Sequence, residues 1–342
     1  MVEGARLESV YTVKGIKGSN PFLSATFFKK LEIMNKKIFN EVTIVMCAYH
    51  SSKKLKLLIP KINRKFNILI IDNSKQYNDK LFYNKLYKNV NYHIPAKDSG
   101  LSASYNYALK IVKTPYIFIT QPDVKFSNET INYLFEAIIK YSKAAILSST
   151  VLNEKKEIVE SFKSLKIQKK NLINRKNNNN KFVYSNKKVI WGDFCPEAVN
   201  CTTMLINKKF IKKIHGWDKN FFMYCEDIDL CVRARLAGFE VIKVFKSEVN
   251  HMGFSSHDQN NSKSVEDKRN WHWSWSQIYF NRKHKNKYIF FLLIFKLIFL
   301  SFIKLSLYLI IFNKKYRMYF FRLYGGLISF LGFSSFFRSK NS

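Results

Sequence analysis

Three carboxylates stand close together in one short segment of the chain: Glu226, Asp227 and Asp229. An aromatic stretch, 221–224, precedes them and apolar residues at helical spacing follow, so they would lie in the first turn of a helix. The helix dipole favours negative charge there, which makes an ordinary acidic helix start one interpretation. A carboxylate held between an aromatic wall and a helix N-terminus could also act as a general base. That second interpretation requires the rest of the chain to supply a substrate, a metal and a leaving group.

Other polar residues that could take part in chemistry follow predicted strands. Asp72 ends one apolar run, Asp123 comes shortly after strand 116–120, and His251 follows strand 240–245. Ligands of parallel α/β sheets bind at the carboxyl ends of the strands, so these residues are candidates for a binding site. An aspartate at a strand end is also an ordinary turn residue, and a lone histidine is more often structural than a ligand.

Short apolar runs alternate with amphipathic helices from Glu41 onward, which is typical of an α/β domain with a largely parallel sheet. The predicted strands are 42–48, 68–71, 90–94, 116–120, 144–149, 202–206 and 240–245. The predicted helices are 52–62, 78–87, 100–113, 128–140 and 208–214, with another after the acidic segment. We therefore expect a Rossmann-like sheet whose carboxyl edge holds the candidate residues.

The composition divides the chain into three parts. Residues 1–33 show no sustained hydrophobic period and no signal-peptide pattern, and we interpret them as a non-native or mis-annotated leader. Residues 34–265 contain the α/β pattern, interrupted at 153–188 by a Lys- and Asn-rich stretch that predicts an exposed loop. Residues 266–342 are dominated by apolar and aromatic helices.

The stretch from Tyr288 to Phe312 is almost wholly apolar, and a bilayer is crossed by about 20 such residues. Lys296 and Lys304 lie near its middle, where each would cost roughly 2.5–3.5 kcal/mol at the membrane centre. Both flanks are basic, so a single span would place one of them on the wrong side. We expect a helix lying in the cytoplasmic interface rather than a span, with a second helix over 316–333 packed beside it.

The chain of 342 residues has 58 basic and 24 acidic residues, and its net charge is +34. Such an excess suits nucleotide phosphates, an anionic membrane face or nucleic acid, although many lysines stand beside asparagines and reflect compositional bias. The five cysteines form no C-x-x-C pair, which predicts reduced thiols of a cytosolic protein and argues against zinc.

Taken in order, the motifs resemble the inverting family 2 glycosyltransferases of bacteria, and especially their rhamnosyltransferase-like branch. The resemblance covers Val42 to Ser256 and extends more loosely from Asn270 onward. Most of the specificity comes from the order and spacing of the segments, above all the last two. The matching segments are Val42–Val45 with Tyr49, Ile71–Ser74, Gly100 with Asn106, Gln121–Asp123, Gly216–Asp218 leading into Phe222–Leu230, and Asn250–His251 with Ser255 and Ser256.

This resemblance implies a type A glycosyltransferase fold, a nucleotide-diphosphate sugar as donor substrate and a divalent metal, Mg²⁺ or Mn²⁺. Position by position it implies that Asp72 contacts the base of the donor and that Gly100 and Asn106 line the donor site. It further implies that Asp123 and His251 hold the metal. The catalytic base would be Asp227, and its neighbour Glu226 would hold the acceptor or orient the loop.

Elementary chemistry agrees with this set of roles. A departing nucleoside diphosphate gathers negative charge, which a bound cation stabilises directly. A neutral sugar hydroxyl attacks poorly, so a carboxylate must accept its proton, and one base without a protein nucleophile gives inversion. Asp229 is left for the helix dipole or for Arg233, four residues further on.

Two positions depart from the family pattern. Asp98 stands where asparagine is usual, and an additional acid near a diphosphate is unhelpful unless it points away or binds metal. Gln121 stands where asparagine or aspartate is common. Three tryptophans, 271, 273 and 275, could stack on a sugar, but an interface anchor or plain core is the favoured interpretation.

The sequence thus predicts a glycosyltransferase that moves a sugar, rhamnose among the candidates, to a glycan or lipid-linked acceptor in cell-surface polysaccharide synthesis. We expect a cytoplasmic protein on the inner face of the cell membrane and no nucleic-acid partner. The alternative is a catalytically degenerate, basic transferase-like protein that binds a membrane surface or nucleic acid. A nucleotidyltransferase is disfavoured because residues 48–51 provide no phosphate loop.

Overall fold

A computed structural model describes residues 37–159, 162–163, 192–251 and 262–338. The chain divides into two units, Met1–Ile38 and Phe39–Ser342, and the elements described below all belong to the second. The predicted leader at 1–33, most of the predicted loop at 153–188, and the pair Ser255 and Ser256 lie outside the described residues.

Nine strands form one mixed sheet in the order β3-β2-β1-β4-β10-β6-β11-β5, with β7 paired to β6. A separate two-stranded sheet joins β8 and β9. The strands are β1 (Val42–Ala48), β2 (Asn67–Asp72), β3 (Val90–His93), β4 (Tyr116–Thr120), β5 (Val124–Lys125), β6 (Ala144–Leu152), β7 (Ile158–Val159), β8 (Phe162–Lys163), β9 (Ala198–Val199), β10 (Thr203–Asn207) and β11 (Glu240–His251).

The strand directions bring the carboxyl ends of several strands to one edge of the sheet. β1 runs parallel to β2 and β4, and β2 runs parallel to β3. β10 is antiparallel to both β4 and β6, so β6 runs in the direction of β4 again, and β11 is parallel to β6. The carboxyl ends of β1, β2, β4 and β11 therefore share an edge, as Rossmann-like sheets require. The predicted fold class, an α/β type A glycosyltransferase fold, is confirmed.

Helices cover the sheet and continue beyond it. They are α1 (Ser52–Leu58), α2 (Tyr77–Leu86), α3 (Gly100–Ile111), α4 (Asn128–Lys140), α5 (Lys208–Lys213), α6 (Glu226–Leu236), α7 (Ser262–His284), α8 (Lys287–Ile310) and α9 (Tyr316–Phe330). The sequence explains their limits locally. Helix α4, for example, begins at a capping box in which Ser127 and Thr130 satisfy each other's backbone N–H groups.

The central strands are apolar along their whole length because both faces of the sheet are covered. In β1 every residue except Cys47 is buried, which accounts for the continuous apolar run in the sequence. The main core cluster combines residues of α3 and α6, such as Tyr105, with Trp271 and Trp275 of α7 and with Trp217 from the loop before α6. Helix α7 is therefore part of the packing that holds the site.

The last three helices pack on one another through small residues. A Cβ at Gly325 of α9 would collide with the main chain at Trp271 of α7, and one at Gly326 would lie 2.9 Å from the hydroxyl of Ser274. Such close approach is possible only for glycine. Arg317 of α9 binds the carboxylate of Asp267, with its Nε 2.8 Å from Oδ1. Helix α9 is thereby fixed against α7.

Helix α8 differs from its neighbours in exposing most of its apolar surface. It has 24 residues, is long and apolar enough to cross a membrane, and only 17% of its most apolar window is buried. Exposed aromatic residues include Phe291, Phe295 and Phe302. Contiguous exposed apolar surface is typical of sites that contact another protein or a membrane.

Candidate active site

The acidic segment begins at a strained turn. Tyr224 and Cys225 both have left-handed backbone conformations, with φ of 66° and 62°. Such values are uncommon for residues other than glycine and persist where surrounding contacts impose them. Two residues of α7 supply contacts, since Ser276 donates to the carbonyl of Met223 at 2.7 Å and the Gln277 amide lies 3.2 Å from the Cys225 sulfur. The turn starts α6 so that its first two acids face a cavity of about 290 Å³.

Asp227 is held in that cavity by two main-chain donors. The N–H of Cys201 donates to its Oδ2 at 2.9 Å, and the N–H of Ile228 donates to its Oδ1 at 2.8 Å. The residue is buried, with 8% of its surface exposed. These two bonds fix the position of the carboxylate at the wall of the cavity.

Glu226 lines the same cavity in a different electrostatic state. The residue is 2% exposed, and burial together with the charge of Asp227 raises the pKa of its carboxyl to about 8. Its Oε1 lies 3.8 Å from the Cys201 sulfur, and its Oε2 has no hydrogen-bond partner among the described residues. Near neutral pH this carboxyl is protonated and can donate a hydrogen bond to a ligand.

Asp229 lies outside the cavity and forms ion pairs that connect α6 to α7. It accepts from Arg233 Nε at 2.7 Å, from Lys283 Nζ at 2.7 Å and from His284 Nε2 at 2.8 Å. Burial alone would raise the pKa of Asp229, but His284, Arg233 and Lys283 outweigh it and lower the pKa to about 2. The predicted pairing with Arg233 is present. The two partners on α7 were not foreseen, because no local pattern links positions so far apart.

A second cavity, of about 220 Å³, lies at the shared carboxyl edge of the sheet. It is bordered by Tyr49 after β1, Asn73 after β2, Pro122 after β4 and Gly100 at the start of α3. The two cavities have four wall residues in common, which are Leu101, Gln121, Met223 and Tyr224. A molecule in the opening at the sheet edge would therefore lie directly beside the acids of α6.

The wall between the cavities depends on Gly100. This glycine has φ of +73°, and a Cβ there would collide with the carbonyl oxygen of Phe222. The adjacent N–H of Leu101 donates to that carbonyl at 2.7 Å. Asn106, further along the same helix, binds both main-chain groups of Trp217 through its amide, at 2.8 and 2.9 Å. Helix α3 thus holds the acidic loop at two points, and the predicted role of Asn106 in lining the donor site stays a prediction.

Asp72 is buried, and its carboxylate accepts hydrogen bonds from the loop that follows it. Its Oδ1 accepts from the N–H and hydroxyl of Ser74 at 2.9 and 2.6 Å, and its Oδ2 accepts from the N–H of Gln76 at 2.8 Å. These bonds shape the turn after β2, as an aspartate commonly does. Contact with the base of a donor stays a prediction.

Asp123 and His251 are brought together by strand pairing. His251 pairs with Val124 in the β5–β11 ladder, which places its Nε2 3.5 Å from Oδ2 of Asp123. The carboxylate is buried, and neither oxygen has a hydrogen-bond partner among the described residues. A buried, unsatisfied carboxylate beside an imidazole fits a divalent cation. No cluster of three or more His, Cys, Asp or Glu that could hold a metal occurs in the described ranges.

The two departures from the family pattern have local explanations. Asp98 is paired with Lys268 of α7 at 3.0 Å, so its charge is matched. The amide of Gln121 lies 3.8 Å from the sulfur of Cys201, which also contacts Glu226. Gln121 therefore connects the end of β4 to the acids of α6.

The three tryptophans of α7 lie in two different environments, the core and the cavity beside the acids of α6. Trp271 and Trp275 are buried in the core, and Trp275 stacks on Tyr279 with ring centroids 5.0 Å apart. Trp273 instead lines the cavity beside the acids of α6 and carries the Arg322 guanidinium 4.7 Å from its ring centroid. Core packing accounts for the first two, while Trp273 is placed where it could meet a sugar.

A mixed sheet of this order, with two adjoining cavities and acids at a helix start between them, has the architecture of the type A glycosyltransferase fold. Residues 43–195 match the model of Glycosyl transferase family 2. The predicted resemblance to family 2 glycosyltransferases of the rhamnosyltransferase-like branch is confirmed.

Individual relatives cover limited parts of the chain. This chain is 40% identical to rhamnosyltransferase WbbL of Escherichia coli (strain K12) over 52 residues. The matched segment is 15% of this chain and 20% of that protein. Among solved structures, GalNAc-T7 with UDP, GalNAc and Mn²⁺ is similar at 12% identity and a TM-score of 0.49, over 70% of this chain and 51% of that one. TarS 1–349 of S. aureus is similar at 11% identity and a TM-score of 0.46, over 70% of this chain and 64% of that one. The chain thus spans less than two thirds of each.

Proposed function

We propose that the protein is an inverting glycosyltransferase that transfers a sugar from a nucleotide-diphosphate donor to a hydroxyl of a glycan or lipid-linked acceptor. Rhamnose is the first sugar to test, because the matched curated relative is named a rhamnosyltransferase. The observation that supports this proposal most is the common wall of the two cavities. Donor and acceptor could occupy neighbouring spaces with Asp227 facing the acceptor side.

In this proposal the cavity at the sheet edge takes the nucleotide sugar. Asp72 and Gly100 border the donor, and Asp123 with His251 holds a divalent metal, Mg²⁺ or Mn²⁺. When bound, the cation neutralises charge on the leaving diphosphate. The unsatisfied Asp123 carboxylate supports this assignment.

Asp227 is the proposed catalytic base. It accepts the proton of the acceptor hydroxyl while the bond between that oxygen and the anomeric carbon forms and the bond to the diphosphate breaks. Attack from the side opposite the leaving group inverts the anomeric centre. Glu226, protonated and deeply buried beside it, donates a hydrogen bond to the acceptor and does not compete for the proton.

We further propose that the exposed face of α8 lies in the cytoplasmic membrane interface, which suits a lipid-linked acceptor in surface polysaccharide synthesis. Its apolar surface and the basic residues on both flanks support this, since each basic residue near anionic lipid adds about 1 kcal/mol of attraction. Sedimentation of the full-length protein with anionic liposomes tests it. A protein that stays in the supernatant without detergent would contradict it.

The decisive experiment is a donor panel. The purified protein is incubated with UDP-, dTDP- and GDP-sugars, including dTDP-rhamnose, in the presence of Mg²⁺ or Mn²⁺ and a glycan or lipid-linked acceptor. Acceptor-dependent release of nucleoside diphosphate, with an inverted product anomer, is the expected result. Absence of release and of binding across the panel would favour a catalytically degenerate protein instead.

A further inference from the structure

The cavity at the sheet edge has a side that the strand ends do not form. Helix α7 closes it with two consecutive cations, Lys268 and Arg269. None of the motifs at the carboxyl edge of the sheet includes this helix, which follows the last strand in the chain. The two cations therefore need roles of their own, separate from those of the residues on the strand side.

Lys268 is already matched by an acid. Its Nζ lies 3.0 Å from Oδ2 of Asp98, and both side chains are 3% exposed. The ammonium also lies 3.6 Å from the centroid of the Tyr49 ring. A pair of opposite charges at this distance contributes little net charge to the cavity, so Lys268 mainly neutralises Asp98.

Arg269 lines the sheet-edge cavity and contacts a residue of the wall that the two cavities share. Its Nε donates to the hydroxyl of Tyr224 at 3.0 Å, and Tyr224 lines both cavities. Burial alone would lower the pKa of Arg269, but Tyr224, Glu266 and Asp123 outweigh it and raise the pKa. The guanidinium is thus positively charged, half-buried and within electrostatic reach of the carboxylate that fits a metal.

We propose that Arg269 binds the diphosphate of the donor and stabilises it as it leaves, an assignment that rests on the proposed function. In the transfer, the acceptor oxygen bonds to the anomeric carbon and the bond from that carbon to the β-phosphate oxygen breaks. The electron pair stays on that oxygen, and the hydroxyl proton goes to Asp227. A planar guanidinium matches phosphate oxygens in pairs and retains its charge throughout. Its place beside Tyr224 puts it between the donor and the acids of α6.

The test is calorimetric titration of the full-length, detergent-solubilised protein with UDP, dTDP and GDP in Mg²⁺, and with the corresponding nucleoside monophosphates. Arg269→Gln should weaken binding of the preferred diphosphate by roughly 10- to 100-fold, the range for a lost hydrogen bond to a charged group. The monophosphate, which lacks the β-phosphate, should lose much less. Arg269→Lys keeps the charge without the planar fork and should lie between the two.

Lys263→Gln is the matched control, because it removes one positive charge from an exposed position of the same helix. Its diphosphate affinity should stay within about twofold of the wild type, and circular dichroism should show every variant folded. If Arg269→Gln, or Arg269→Lys where the former does not fold, binds diphosphate as well as the control, the assignment is overturned. If the wild type binds none of the three diphosphates, the proposed donor class is wrong and the assignment falls with it.

Discussion

Asp98 and Lys268, 170 positions apart in the sequence, form a buried ion pair of 3.0 Å at the wall of the sheet-edge cavity. Asp98 lies just before α3, where its Oδ1 also accepts from the N–H of Gly100 at 3.2 Å. Lys268 belongs to α7. The pair therefore connects the sheet-edge loop to the helix that follows the last strand.

Removing one partner of this pair should destabilise the protein more than removing both. Lys268→Met leaves the Asp98 carboxylate buried without its cation, which typically costs about 3–5 kcal/mol. The double variant Asp98→Asn/Lys268→Met should recover most of that loss. Thermal unfolding followed by circular dichroism gives the melting temperature of each variant. Equal melting temperatures of Lys268→Met and the double variant would contradict the coupling.

Gly100→Ala should be strongly disruptive because two costs add. The backbone conformation at φ +73° costs a residue with a Cβ of the order of 1–3 kcal/mol, and the added Cβ would also collide with the carbonyl of Phe222. Gly192→Ala is the matched control, since Gly192 has φ of +96° and no described atom lies within 4 Å of the place that its Cβ would take. We expect a clearly lower melting temperature and lower transferase activity for Gly100→Ala. Equal effects at the two glycines would exclude the steric contribution.

Asp227→Asn should preserve the fold and donor affinity while lowering turnover by roughly 10²–10⁴-fold, the usual contribution of a general base. The reason is that the amide cannot accept the proton of the acceptor hydroxyl. Glu226→Gln keeps a hydrogen-bond donor at its position and should lower turnover less. Donor binding and turnover are measured for both variants. Near-normal turnover of Asp227→Asn together with an inactive Glu226→Gln would make Glu226 the base.

Glu226 should also make stability depend on pH. Its pKa rises from 4.5 to about 8 on folding, so the folded state binds the extra proton between these values. The extra proton therefore contributes fully to the free energy of unfolding below about pH 4.5. This contribution is lost as the pH rises through 8. Glu226→Gln cannot titrate and should gain stability relative to the wild type as the pH rises from about 4.5 to about 8, the window set by these pKa values.

The comparison for Glu226 must be between wild type and variant, because Lys243 titrates in the same range. Burial lowers the pKa of Lys243 to about 7, and a base with a lowered pKa becomes less destabilising as the pH rises. Chemical unfolding at several pH values gives both curves. A constant difference between them would show that Glu226 does not change protonation in this window.

Metal removal should abolish both tight donor binding and transfer. If Asp123 and His251 share a cation with the donor diphosphate, chelator should remove metal-dependent affinity, and Mn²⁺ or Mg²⁺ should restore it. Asp123→Asn should weaken nucleotide binding in metal to the level measured in chelator, while leaving binding in chelator unchanged. Full activity in chelator would refute the metal assignment.

Much of the sheet edge could be predicted from the sequence because strands and their ends are local features. The apolar run before Asp72, the strand before Gln121 and the acidic start of α6 each follow from residues within one element. The pairing of Asp229 with Arg233 is equally local, since four residues make about one helical turn. Such patterns depend on period and propensity, which are properties of a short segment.

What only the tertiary structure decided is how distant segments meet. The antiparallel insertion of β10, the approach of His251 to Asp123 and the closure of the sheet-edge cavity by Lys268 and Arg269 all depend on strand pairing and helix packing. The same holds for the protonated state of Glu226. Its raised pKa comes from burial and from its neighbour's charge, and burial is a property of the packed molecule, because water is excluded only when all the surrounding elements are in place.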